Sequence, residues 1–203
     1  MKTKLLFIAI CMITASGMSQ AQKKGTFTDP RDGQVYKTIT IVDDLKGTSV
    51  TWMSQNLNYQ VNGARPYFDD EASRKDLGLL YTFEQAKQAC PTGWHIPSKA
   101  EFESLLKKYT IESLKSIDGW SNNSGGTNSS GFNAYPAGYY CGFGGLLGYD
   151  YLGSIVKYWT TTYKYDDIYK ETAPSYLYIP ATGDTGFDSG GNYSVSLRCL
   201  KNN

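Results

Sequence analysis

Side chains that could act as nucleophiles, bases or metal ligands are few in this chain of 203 residues. His95 is the single histidine, so a three-histidine metal site and any mechanism that uses two imidazoles are excluded. A cysteine enzyme would have to pair His95 with Cys141, because a thiol nucleophile needs a neighbouring base. We expect instead that His95 is hydrogen-bonded within a tight turn between helices, and that Cys141 is buried or links two chains.

Oxygen-bearing side chains recur near the C terminus, at Asp184, Asp188 and Asn192. Such ligands on a Gly-rich loop suit Ca²⁺, but the EF-hand spacing is not met, and turn formation is the simpler interpretation. The chain also lacks P-loop, GxSxG, HExxH and GxGxxG motifs. We therefore predict no catalytic residues, no bound metal and no cofactor.

Tyrosine is the most unusual component of the sequence. Of the 17 tyrosines, eleven fall within 131–178, interleaved with glycines. Their flat rings with polar tips suit stacking on sugars or burial against a protein partner. An alternative is that they only pack loops onto a sheet. The candidate ligand-binding residues are Tyr139, Tyr140, Tyr149, Tyr151, Tyr163, Tyr165 and Tyr169.

Charge and N-terminal patterning predict the compartment. Lys and Arg total 20 against 19 Asp and Glu, so no net charge favours nucleic acid or anionic lipid. Lysines at positions 2 and 4, an apolar run over 5–15 and small residues at 19 and 21 are typical of a signal peptide spanning 1–21. We expect an exported protein (secreted, periplasmic or on the outer surface) without a transmembrane segment.

Three cysteines remain after signal removal, namely Cys90, Cys141 and Cys199. In an oxidising compartment this odd number predicts one disulfide and one free or intermolecular thiol. The residues themselves leave three pairings open.

Local patterns predict helices in the middle of the chain and strands on either side. Capping boxes that begin at Thr82 and Ser98 predict two helices, and alternation predicts strands over 36–42, 49–53, 157–163 and 175–179. Residues 22–28 are expected to be a flexible leader, and 61–77 an exposed loop or frayed helix. Trp52, Trp94 and Trp159 are assigned to the core.

The last strand alternates between apolar and polar residues. We expect Val195, Leu197 and Cys199 to point inward, and Ser194, Ser196 and Arg198 to point outward.

Six motifs in order resemble a known family. They are DGQVYKT (32–38), WMSQNLNY (52–59), CPTGWHIPS (90–98), GFNAYPAG (131–138), YWTT (158–161) and SLRC (196–199). The chain resembles the Fibrobacter succinogenes major paralogous domain, which occurs in exported proteins of Bacteroidetes and their relatives. The resemblance implies one such domain over 29–203.

A more distant similarity, to C-type lectin-like domains, implies an architecture. It rests on a capped helix with a cysteine, a Gly-Trp turn, a second capped helix, a Trp strand and a final-strand cysteine. It implies an α+β fold of short antiparallel strands, two central helices and long Gly/Tyr-rich loops, and a disulfide between Cys90 and Cys199. The calcium ligands of sugar-binding lectins are missing, since Trp159 is followed by two threonines.

Together these features predict a non-catalytic recognition or adhesion module that binds a glycan or a cell-envelope protein through the Tyr/Gly-rich loops. The alternative is a structural subunit or tip component of a surface fibre. A thiol- or histidine-dependent enzyme is a third hypothesis.

Overall fold

The computed structural model describes residues 22–43, 48–143, 146–166 and 170–202. The expected signal peptide (1–21) and Tyr169 lie outside these ranges. The strands are β1 (Lys23–Thr28), β2 (Val35–Asp43), β3 (Thr48–Met53), β4 (Trp94–His95), β5 (Tyr139–Phe143), β6 (Leu146–Asp150), β7 (Ile155–Asp166), β8 (Glu171–Pro180), β9 (Gly186–Ser189), β10 (Tyr193–Ser194) and β11 (Leu200–Lys201). The α-helices are α1 (Arg74–Leu77), α2 (Phe83–Ala89), α3 (Lys99–Lys108) and α4 (Ile111–Leu114), and 3₁₀ helices span Tyr67–Asp69, Glu71–Ser73 and Ser121–Asn123.

The strands form three antiparallel sheets. The first has the order β1-β2-β3-β11-β4, the second β10-β5-β6 and the third β7-β8-β9. The strands predicted over 36–42 and 49–53 are confirmed as β2 and β3, which pair with each other so that Ile39 lies opposite Trp52.

Side-chain alternation separates the two largest of the three core clusters, because the central strands are covered on both faces. On β2 and β3, Tyr36 and Met53 belong to one cluster, whereas Ile39 and Trp52 belong to the other. The assignment of Trp52, Trp94 and Trp159 to the core is confirmed, since none is more than 8% exposed.

Both predicted capping boxes are present and begin helices α2 and α3. The Thr82 hydroxyl accepts from the Gln85 amide, and the Gln85 side chain accepts from the Thr82 amide at 2.8 Å. Ser98 and Glu101 make the equivalent pair of bonds. The boxes satisfy backbone donors that the first helical turn leaves without partners.

The expected α+β, C-type lectin-like fold class is wrong. About 40% of the residues are in strands and 20% in helices, and the longest helix, α3, has ten residues. The prediction failed because capping boxes mark where a helix begins but not how far it continues. In addition, part of the expected Gly/Tyr-rich loop is the β5–β6 hairpin, in which Tyr140 pairs with Tyr149.

The prediction of an outward face on the last strand is also wrong. Ser196 and Arg198 are fully buried and Ser194 is 5% exposed, so both faces of 194–200 are covered. Alternation between polar and apolar residues identified the extended backbone, but here buried hydrogen-bond partners allow a polar side chain to point into the core. Arg198 alone donates to Met53 O and Asn133 O at 3.2 Å and to Tyr158 Oη at 3.0 Å.

Residues 22–28, expected to be a flexible leader, contain strand β1. This strand pairs with β2 along its whole length, from Lys23 opposite Thr40 to Thr28 opposite Val35. Its mostly polar, exposed side chains are typical of a strand at the edge of a sheet.

Among the described residues, no helix has the length and apolar character needed to cross a membrane.

The disulfide between Cys90 and Cys199 is confirmed, and Cys141 is the free cysteine of the described chain. The bond joins the end of α2 to the segment that precedes β11, with 5.9 Å between the two Cα atoms. It closes a loop that spans 109 positions of sequence.

Replacing both cysteines (Cys90→Ala with Cys199→Ala) is expected to lower the free energy of unfolding by about 4–5 kcal/mol, because a crosslink across so long a loop restricts the unfolded chain. Urea denaturation of the two proteins measures the difference. Cys141→Ala is the matched control and should change the free energy of unfolding by about 1 kcal/mol or less, since this thiol crosslinks nothing in the described chain. Equal midpoints for the double variant and the native protein would contradict the expectation.

Candidate functional site

The candidate tyrosines form separate groups instead of one surface, because neighbouring positions of β5 point to opposite faces. Tyr140 packs against Tyr149, with ring centres 5.1 Å apart. Tyr139 stacks on Tyr151, with ring centres 5.4 Å apart and planes 15° from parallel. A third group, on β7, contains Tyr163 and Tyr165, each 52% exposed.

The group that contains Tyr140 and Tyr149 also includes a residue that the sequence analysis missed, Phe68. The ring of Phe68 is 69% exposed and lies 5.3 Å from that of Tyr149, with the planes 30° apart. Beneath them Tyr67 is buried and contacts both rings. We name the surface formed by Phe68, Tyr140 and Tyr149, with Arg65 and Asp69 at its edge, the aromatic face.

Charged groups are held at the edge of the aromatic face. The Tyr149 hydroxyl donates to Asp69 Oδ1 at 2.6 Å, and the Arg65 guanidinium lies 4.6 Å from the ring centre of Tyr140. Burial and the hydrogen bond to Asp69 raise the pKa of Tyr149 to about 12, so its hydroxyl stays protonated at neutral pH. The face therefore combines apolar rings with a fixed hydroxyl, a carboxylate and a guanidinium.

Phe68 has a backbone conformation that aromatic residues rarely adopt. Its φ is 57° and that of Asp69 is 54°, both in the left-handed region. The turn is closed by bonds from Asp69 N to Pro66 O at 3.1 Å and from Asp70 N to Tyr67 O at 3.2 Å. Strain of this kind costs about 1–3 kcal/mol and is concentrated at functional sites. The sequence feature that could have identified Phe68 as a functional residue is its large apolar side chain within a mostly polar stretch.

A second cluster surrounds a buried lysine, which the sequence analysis also missed. Lys157 is 7% exposed, and its Nζ lies 3.8 Å, 4.2 Å and 4.6 Å from the ring centres of Tyr139, Tyr193 and Tyr176. We name these three rings and Lys157 the tyrosine box. Lys157 forms no ion pair within the described chain. Its charge is stabilised instead by the three ring faces, because the face of an aromatic ring attracts a cation.

Desolvation lowers the pKa of Lys157 to about 8, although Asp188 and Cys141 act in the opposite direction. Burial raises the pKa of Tyr139 and Tyr176 above the ordinary range. The box is therefore a pocket with uncharged walls that Lys157 itself fills. The Tyr139 ring contacts Lys157 and Tyr151, so it is engaged within the protein.

His95 and Cys141 lie in different sheets. His95, on β4, is engaged at both ring nitrogens: Nδ1 lies 2.7 Å from Asn202 Oδ1 and Nε2 lies 3.0 Å from Glu101 Oε1. Burial acts to raise the pKa of Glu101, but hydrogen bonds from Ser98 and His95 lower it overall. The hydrogen-bonded histidine that we expected is present, although it lies on a short strand and is about one-third exposed. Cys141 is half-buried on β5.

The three oxygen-bearing residues near the C terminus lie in three different segments, with Asn192 between β9 and β10. Asp184 lies in the turn after β8, and Asp188 is on β9 opposite Tyr176, with a carboxylate oxygen 3.9 Å from Lys164 Nζ. Within the described ranges, no group of three or more His, Cys, Asp or Glu residues could hold a metal ion.

Lys157→Met is expected to remove a pH dependence of stability. Between pH 7 and 9 the folded lysine releases its proton while the unfolded one keeps it, so the free energy of unfolding of the native protein rises relative to the variant by about 1 kcal/mol. Urea denaturation at both pH values measures this. Lys164→Met, on the same strand but 57% exposed, is the matched control and should show no such change. A difference between native protein and Lys157→Met that is constant with pH would contradict the assignment.

The comparisons with known proteins identify the family but no close relative. The family model of the Fibrobacter succinogenes major domain matches residues 37–201. Searches of curated proteins and of solved structures found no significant match. The matched range includes every strand from β3 to β11, the aromatic face and the tyrosine box. The chain therefore belongs to the Fibrobacter succinogenes major domain family.

Proposed function

We propose that this protein is an exported, non-catalytic recognition domain that binds a glycan on the aromatic face. The observation that carries the proposal is the ring of Phe68, which is 69% exposed on a left-handed backbone and lies 5.3 Å from the ring of Tyr149. A strained, exposed aromatic residue contributes little to folding, and so its contribution is expected to lie in binding.

A sugar fits this surface for two reasons. The apolar C–H groups of a pyranose pack against ring faces, and its hydroxyls require polar partners at the ring edges. Asp69, Arg65 and the Tyr149 hydroxyl supply a carboxylate, a guanidinium and a phenol at that edge. A cell-envelope protein is the less favoured partner, because a specific protein interface buries about 1,000 Å² or more in total and the aromatic face has only three rings.

The disulfide supports export. Cys90 and Cys199 are bonded in the core, and disulfides of this kind form in oxidising compartments outside the cytosol. In such a compartment the accessible ligands are glycans and proteins of the envelope or the surroundings.

A structural role in a surface fibre remains the second candidate, because β1 is an edge strand of the first sheet among the residues that the structure describes. Lys23 and Lys24 on that strand are exposed, and lysines on an edge strand oppose the addition of a further strand. We therefore prefer recognition to assembly.

Phe68→Asn tests the proposal, because asparagine adopts the left-handed backbone more readily than phenylalanine and leaves the fold intact. We expect its affinity for a retained polysaccharide to fall about tenfold, since a stacked ring is worth up to about 1.5 kcal/mol and tenfold corresponds to about 1.4 kcal/mol. Affinity electrophoresis in gels containing dextran, xylan, mannan or β-glucan measures the change, and circular dichroism checks the fold.

Tyr165→Ala is the matched control, because Tyr165 is 52% exposed and lies outside the aromatic face. Its mobility in each gel should equal that of the native protein. Equal retardation of Phe68→Asn and native protein would overturn the proposal, as would retention by an envelope-protein extract with no retention by any polysaccharide.

A further inference from the structure

A polar cleft of about 520 Å³ is lined in part by residues 71–76, which directly follow the turn that carries Phe68 and Asp69. Its lining residues come from the turn before β2, from the stretch after β3 and from 71–76. They are Gln34, Val35, Tyr36, Gln55, Asn56, Asn58, Glu71, Arg74, Lys75 and Asp76. Residues 65–76 thus contribute to both places, with Arg65, Phe68 and Asp69 on the aromatic face and Glu71 to Asp76 on the cleft.

Hydrogen bonds fix the orientation of the polar groups in the cleft. The Tyr36 hydroxyl accepts from Gln34 Nε2 at 3.0 Å and from the Asn58 backbone amide at 3.1 Å. Asn58 Oδ1 accepts from Arg74 Nε at 2.9 Å. Burial raises the pKa of Tyr36 to about 12, so its hydroxyl is uncharged at neutral pH. A polar site whose groups are already oriented loses little entropy when a ligand binds.

The charges in the cleft balance. Glu71 and Asp76 provide two negative charges, and Arg74 and Lys75 provide two positive charges. Glu71 and Arg74 are paired, with 2.8 Å between Oε2 and Nη1. Because the net charge is zero, the cleft does not favour an anionic ligand such as a phosphate or a uronic acid.

The chemistry of the walls indicates the class of ligand. Pockets for apolar molecules are lined mainly by hydrophobic side chains, whereas this one has a single aliphatic residue, Val35, which is 56% exposed. Amides, a hydroxyl and balanced charges match a neutral molecule with many hydroxyl groups and a small apolar surface. A sugar residue has this composition.

We infer that the cleft is a second subsite, which binds a neutral sugar residue of the same glycan that stacks on the aromatic face. The inference rests on the proposed function and extends it, because it assigns the ligand as a neutral, extended glycan that contacts both the aromatic face and the cleft. Gln34, Asn58 and Arg74 are the residues that bind its hydroxyls.

Gln34→Ala tests the second subsite, because it removes the amide that bonds to Tyr36 and Asn58. We expect its affinity for the polysaccharide that retains the native protein to fall about fivefold, the effect of one lost hydrogen-bonding group. The probes are dextran, xylan, mannan and β-glucan as neutral polymers and polygalacturonate as an anionic one. Gln60→Ala, which alters an exposed amide outside the cleft, is the matched control and should bind as the native protein does.

Amide chemical shifts measured by NMR during titration with an oligosaccharide of the retained polymer provide a second readout that needs no variant. We expect shifts at Gln34 and Asn58 as well as at Phe68. Binding to the neutral polymer should change less than twofold between 0.05 and 0.5 M NaCl, because no net charge is involved.

The outcomes separate the two proposals. If Phe68→Asn loses binding while Gln34→Ala binds as the native protein does and its amide does not shift, the second subsite is overturned and the proposed function stands. If Gln34→Ala loses binding and Phe68→Asn does not, the cleft is supported and the aromatic face is overturned. Retention by polygalacturonate alone, or by none of the polymers, overturns both.

Discussion

A buried guanidinium constrains the arrangement of this fold. Arg198 is fully buried, and burial lowers its pKa, yet no carboxylate in the described chain pairs with it. Its acceptors are the carbonyls of Met53, Phe132 and Asn133, the Asn56 amide oxygen and the Tyr158 hydroxyl. Because a buried charge without acceptors is strongly destabilising, β3, the stretch around 132 and β7 must be in place together. One side chain thereby couples the first and third sheets.

Asn56 connects the buried guanidinium to the segment that carries the candidate site. Its Oδ1 accepts from Arg198 at 2.7 Å, and its Nδ2 donates at 2.9 Å to the carbonyl of Leu77, the last residue of α1. Leu77 in turn packs with Tyr67, the buried residue that precedes Phe68. The segment 67–77 is therefore attached to the core at both ends, through Tyr67 and Leu77. These two attachments fix the shape of a mostly polar segment that carries the strained turn and part of the cleft.

The sequence predicted those features that depend on local chemistry. The capping boxes at Thr82 and Ser98, the pairing of β2 with β3 and the three core tryptophans were all readable from residue type and spacing. The Cys90–Cys199 disulfide was correctly predicted from a distant resemblance, whereas the fold class predicted from that same resemblance was wrong. What could not be predicted depends on tertiary contacts: a polar position on an alternating strand is outward only if one face is open, and at Arg198 neither face is. In the same way Phe68 and Lys157 gain their roles from rings that are distant in sequence.

The disulfide has a topological effect besides its effect on stability. Residues 90–199 form a covalently closed ring, so a protease that cuts the Gly- and Asn-rich loop near 122–131 leaves both fragments joined until a reductant is added. The segment 65–76 lies outside this ring, so a single cut there would leave the N-terminal piece without a covalent link to the rest. In a protease-rich environment this segment is therefore the vulnerable part of the chain, and a ligand bound to the aromatic face, as we propose, would shield it.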